Sequence, residues 1–142
     1  MESKIAHLGF IQGAVNRMGN NAFLVKGWTV ALVAAIFALA SKEADAYFLV
    51  VAGIAIFVFW FLDVYYLRQE HLYRALYLEV STGRIESDIF TMNTTPVENK
   101  VRSEICLAFS KSVFPFYALV FALFFFFFSK NALWEIVLIK MK

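Results

Sequence analysis

The chain has 142 residues, of which 61% are hydrophobic and 17% charged, with 17 phenylalanines, a formal net charge of +2 and a mean hydropathy of +0.68. That apolar share exceeds the usual make-up of a soluble domain and points to a membrane chain. The single cysteine, Cys106, excludes an internal disulfide.

Residues 1–21 carry apolar side chains at Ile5, Leu8, Ile11, Val15 and Met18, spaced by three and four, with Gln12, Asn16 and Arg17 opposite them. The spacing predicts an amphipathic helix on the cytoplasmic side. Gly19-Asn20-Asn21 is expected to end it, because these residue types tolerate left-handed backbone and punctuate helices. The apolar run begins too late, and lacks a convincing small-residue cleavage site, for a secretory signal.

A helix crosses the roughly 30 Å of bilayer hydrocarbon with about 20 mostly apolar residues. Three stretches meet that length. The first is 22–41, whose one charge, Lys26, lies near its start. Along it Ala31, Ala34, Ala35 and Ala38 fall largely on one face, which permits close helix approach; the face packs either within a hairpin or between copies. The second is 46–67, with Asp63 near its end and a small set, Ala52, Gly53 and Ala55, along it. The connecting loop, 42–45, is so short that the two helices must form a tight antiparallel hairpin.

The periodicity of the second stretch continues through RQEHLYRALYLEV, so its helix is expected to project into the cytoplasm to about residue 80 and to end at Ser81-Thr82-Gly83. Residues 81–104 form the one polar segment of useful length, with Pro96 as a breaker and a weak alternation in RIESDIF that suggests a short strand. The third apolar stretch, 105–129, holds Lys111 and Pro115 before the uninterrupted VFPFYALVFALFFFFF. Phe124 to Phe128 read as lipid-facing bulk or as a gating ring. The final 131–142 is too short to cross and is expected to lie in the interface.

Nine of the basic residues fall in 1–26 and after the second stretch as far as Lys111, against Lys42, Lys130, Lys140 and Lys142 on the other side. The positive-inside bias therefore places the amino terminus in the cytoplasm and the carboxyl terminus outside. Counting outward from the loop at about 1.5 Å per residue puts Asp63 at the level of Phe23 to Lys26. Lys26 is the expected partner of Asp63, with Arg68 able to compete by reaching back. The pair reads either as a register-fixing salt bridge or as part of an ion pathway or gate.

Catalytic groupings are sparse. His7 and His71 stand alone without ligand spacing and are expected at the surface, and no metal or cofactor site is expected. Cys106 lies beside Ile105 and Leu107, in a setting that suggests inert packing. Asn93-Thr94-Thr95 matches a glycosylation acceptor but falls on the expected cytoplasmic side. An enzyme is disfavoured. Arg17, Arg74, Arg84, Lys100 and Arg102 share the cytoplasmic side, where they either neutralise phosphates or simply express the orientation bias.

The segment HLGFIQGAVNRMGNNAFLVKGWTVALVAA, followed by a short loop and a span ending FWFLDVYYLRQEHLYRALY, resembles small multi-pass inner-membrane effectors of bacterial anti-phage defence loci, the Hailong-type transmembrane effectors. The likeness covers roughly residues 5–77. It implies a homo-oligomer, a tetramer by analogy, that conducts ions or depolarises the cell and is gated by a nucleic-acid or nucleotide ligand. Asn16, Arg17, Lys26, Gly27, Trp28, Asp63, Tyr66, Arg68 and Glu70 are the residues carried over from it.

The expectation is thus an all-α membrane protein in the lipid bilayer of the inner membrane. One copy has too few spans to enclose a pathway, so a pore requires symmetric association. The alternative is a non-conducting scaffold or regulatory subunit that docks a cytoplasmic partner.

Overall fold

A computed structural model describes the backbone of residues 2–40, 46–87 and 89–140, with side chains described except at 40, 46, 47, 49 and 131–140. The described residues are mostly helical and contain no strand. The order is α1 (Glu2–Ala40), α2 (Ala46–Ser81), a 3₁₀ helix (Thr95–Lys100), α3 (Glu104–Ala108) and α4 (Phe114–Lys140). The two long helices, α1 and α2, are each apolar and long enough to cross a membrane. In α4 the described apolar stretch is the shorter Phe114–Lys130. The expected loop, 42–45, lies outside the described residues.

Helix α1 does not stop at Gly19-Asn20-Asn21; the expected separate helices over 1–21 and 22–41 are one. Glycine and asparagine cost a helix only about 0.5–1 kcal/mol each, which packing along α2 overrides. Gly19 faces Glu70 of α2, whose Oε2 would lie 3.4 Å from a β-carbon placed there. The buried line of α1 runs through His7, Ile11, Ala14, Val15, Ala22, Val25, Thr29, Val33 and Ile36. Ile5, assigned to the apolar stripe by spacing, is 66% exposed. The face that packs is therefore rotated from the expected stripe toward His7 and Ala14.

Helix α2 unites the apolar run from residue 46 with the polar continuation in one element. Its end is a Schellman turn. Gly83 N–H donates to Val80 O at 3.1 Å and Arg84 N–H to Glu79 O at 2.9 Å, and Gly83 adopts φ +76°, a conformation open to glycine at little steric cost.

Two cores are strung along α2. One gathers Val33 and Ile36 of α1, Ala52, Ile56 and Val64 of α2, Leu107 of α3 and Val113, Tyr117, Val120 and Phe124 around α4. The other, at the polar end, gathers Ile11, Leu72, Leu76, Val80 and Val97. Each fully buried aliphatic side chain there contributes about 1.5–3 kcal/mol relative to exposure in water, which holds the segment after α2 against the α1–α2 pair.

RIESDIF forms no strand in its described residues; Phe90 instead takes φ +46°, packed against the rings of His7 and Phe10 with centroids 5.6 and 6.0 Å away. The expected third span, 105–129, is broken into α3 and α4 by a turn over 109–113. There Ser110 O accepts from Val113 and Phe114 N–H, and Pro115 enters the first turn of α4, where its missing N–H removes no helical bond. No separate carboxy-terminal helix follows, because α4 continues unbroken through Lys140; residues 141–142 lie outside the described residues.

Candidate functional site

The junction of the two cores is polar. Lys26 of α1 donates from Nζ to Asp63 Oδ1 at 2.7 Å and stands 2.6 Å from Oδ2. Asp63 is fully buried, whereas the Lys26 side chain is 23% exposed. Both the lysine stem and the surrounding apolar residues shield the carboxylate, leaving the ammonium as its charge partner. A lone buried carboxylate is strongly disfavoured, and removing one member of such a pair strands the other.

Around this pair three helices meet. Tyr117 of α4 donates its hydroxyl to Phe59 O at 3.0 Å, the α2 carbonyl one turn before Asp63. Its other polar neighbour is Thr29, one turn after Lys26, whose own hydroxyl donates to Val25 O at 2.8 Å. The arrangement holds charge and helix register at one level. It offers no nucleophile activated by a base, and among the described residues no three His, Cys, Asp or Glu side chains converge as a metal site.

Arg68 does not compete for Asp63. It turns the other way, with Nη2 3.4 Å from Glu98 Oε1 and Nη1 3.8 Å from Glu104 Oε1. The position five residues beyond Asp63 directs Arg68 to the connection between the 3₁₀ helix and α3, which linear spacing could not reveal.

The other basic residues divide. Arg74, Lys100 and Arg102 line one cavity with His71. Arg74 is also paired with Glu70 at 2.6 Å, and Lys100 with Glu79 at 2.8 Å. Arg84 reaches Glu79 at 3.1 Å. Arg17 and Arg102 are exposed and enter no ion pair among the described residues. The structure therefore brings Arg74, Lys100 and Arg102 to one cavity, joins Arg84 to Lys100 through Glu79 outside that lining, and leaves Arg17 apart.

Glu79 is the residue that sequence reading missed. It is buried at the end of α2 and receives Lys100 from the 3₁₀ helix and Arg84 from the chain just past the Schellman turn. The hydrogen bond from Lys100, aided by the charge of Arg84, holds its carboxyl below the usual glutamate range. Arg84, five residues on, was the one signal available in the linear sequence.

His7 is not at the surface. It is fully buried, with Nε2 2.8 Å from Thr91 O, and Lys4 donates to Ser81 O at 2.7 Å. His71 is half-buried on the cavity wall. Cys106, expected to be packed, is exposed.

Ala31, Ala34, Ala35 and Ala38 are exposed, since α1 turns Val33 and Ile36 toward the core. In the second small set Ala52 is buried and Gly53 admits the Phe124 ring, whose Cζ would lie 3.2 Å from a β-carbon at that position. Within the phenylalanine run Phe124 packs inward and Phe125 to Phe128 are exposed. No protein-family model, curated protein or solved structure matches the chain.

Proposed function

We propose that the chain is a bacterial inner-membrane effector that assembles into a homo-oligomer and conducts ions or depolarises the cell. The observation that carries this reading is the alanine face of α1. Ala31, Ala34 and Ala35 are exposed on a helix long enough to span, while Val25, Val33 and Ile36 of the same helix turn inward. Small side chains let helix backbones approach closely in lipid. A large exposed apolar belt, including Phe23, Trp28, Ile54, Phe57 and Phe61, supports lipid as the solvent of this half.

In this reading the amino terminus is cytoplasmic and the spans are residues 22–41, 46–67 and the apolar part of α4. Lys26 and Asp63 hold the hairpin in register at the inner edge, and the partial exposure of Lys26 gives ions or water access to the charge. Gating by a phosphate-bearing ligand, a nucleotide or nucleic acid, belongs to the same proposal and is supported by the exposed Arg17 at the cytoplasmic end, which has no ion pair among the described residues.

The scaffold reading is favoured by a second feature, a cleft of about 450 Å³ between α1 and α2 lined by Gln12, Asn16, Arg74 and Tyr77. Voltage-clamped bilayers containing the purified full chain decide between the two. Stepwise currents that disappear in Ala34→Leu together with loss of the oligomer support the channel. Electrical silence of an intact oligomer, under every trigger tried, removes it.

A further inference from the structure

Two cavities open on one face of α2. The first, about 200 Å³, is lined by Phe57, Phe61 and Val64 of α2 and by Ile105 and Ala108 of α3. The second, about 480 Å³, is lined by His71 and Arg74 of α2 and by Lys100 and Arg102. Positions 57, 61, 64, 68, 71 and 75 recur at three and four, so both cavities lie along the same helical stripe. Val64 and His71 are about 10 Å apart along the axis at 1.5 Å per residue.

The link between the 3₁₀ helix and α3 presents Arg102 to one cavity, and the start of α3 that follows it presents Glu104 and Ile105 to the other. Between them Arg68 is occupied by Glu98 and Glu104. In the basic cavity Arg74 and Lys100 are already paired with Glu70 and Glu79, which leaves Arg102 without an ion pair among the described residues. Glu104, at the rim of the apolar cavity, repels an anion there and favours it on the Arg102 side.

We propose that this face binds one anionic phospholipid, its phosphate held by Arg102 and the neighbouring Arg74, Lys100 and His71, and an acyl chain lying along Phe57, Phe61 and Ile105. The inference rests on the membrane reading above. A phosphate-bearing head alone would satisfy the basic cavity. It would leave the adjoining apolar groove, with Ile105 75% exposed, to the bulk acyl chains of the membrane and would not join the two cavities. A lipid covers both parts, since its charge and its hydrocarbon are separated in the order the stripe presents them. A soluble nucleotide covers just the first.

The test uses tryptophan quenching in the full chain. Trp60 borders the apolar cavity, and replacing Trp28 and Trp134 by Phe leaves it as the sole tryptophan of the three. The protein is reconstituted in phosphatidylcholine vesicles containing either brominated phosphatidylglycerol or brominated phosphatidylcholine. Brominated phosphatidylglycerol is expected to quench Trp60 at a lower mole fraction.

Arg102→Gln should reduce that preference about fivefold, the weight of one basic charge near an anionic lipid surface, and Arg102→Lys should retain most of it. Arg102 has no ion pair to lose among the described residues, so the fold is not at stake. Equal quenching by the two lipids, or an undiminished preference in Arg102→Gln, overturns the lipid site while leaving the membrane reading in place. Abolition of the preference by inorganic phosphate or a short oligonucleotide assigns the cavity to a soluble anion and overturns it as well. Quenching by neither lipid removes the membrane reading and the site together.

Discussion

Lys26 and Asp63, 37 residues apart in the chain, meet across the α1–α2 seam with Nζ 2.7 Å from Oδ1, and the carboxylate they share is fully buried. Seven residues away along each helix, in opposite directions, Gly19 meets Glu70 on the same seam. The two contacts thus report one antiparallel register, and the charge pair is its least replaceable element.

Lys26→Met is expected to destabilise the helix pair by about 3–5 kcal/mol, because it leaves Asp63 buried without a countercharge. The double variant Lys26→Met with Asp63→Leu should recover most of that loss, since an apolar pair needs no desolvation. Denaturant or thermal unfolding of the detergent-solubilised chain measures both. A single variant as stable as the parent would show that the pair does not hold the seam.

Gly53 of α2 admits the ring of Phe124 of α4. Alanine there gains about 1 kcal/mol of helix propensity but crowds the buried Phe124 ring, at an overpacking cost of about 1–3 kcal/mol. The net change for Gly53→Ala should therefore be small. Gly53→Leu should separate the helices, and adding Phe124→Ala should restore their packing. Disulfide cross-linking efficiency between engineered cysteines on α2 and α4 reads the separation directly.

Tyr117→Phe keeps the ring in its core and deletes the hydroxyl that donates to Phe59 O. In the membrane reading the expected loss is about 0.6 kcal/mol, typical of an interhelical hydrogen bond in lipid. The accompanying signature is faster amide exchange on α4 than on α1. A loss several times larger would mean that the hydroxyl also orders the Lys26–Asp63 pair through Thr29.

The Glu79 cluster carries a pH dependence with a definite sign. Its carboxyl is held low in the fold, chiefly by the hydrogen bond from Lys100, so its contribution is complete above the ordinary glutamate value of about 4.3. The contribution is lost as pH falls through the lowered folded value. Hydrogen-exchange protection factors across Thr95–Lys100, taken relative to the intrinsic rate at each pH, should fall on acidification below that range in the parent. Glu79→Gln should exchange faster already at neutral pH and change little as the pH falls.

Local pattern carried much of the architecture. The lengths of the apolar runs predict long helices, the continued period through residues 68–80 predicts the extension of α2, and counting from a short loop brings Lys26 level with Asp63. These follow from nearest neighbours and from the constant rise of a helix. Tertiary contacts decided the rest. They carried α1 through Gly19-Asn20-Asn21, because a packed seam outweighs a local propensity penalty. They turned Arg68 toward Glu98 and Glu104, buried His7 beneath Thr91, and gathered Arg84 and Lys100 on Glu79. Side chains distant in the chain find one another there only after the helices have fixed which faces meet, and a linear period does not contain that rotation.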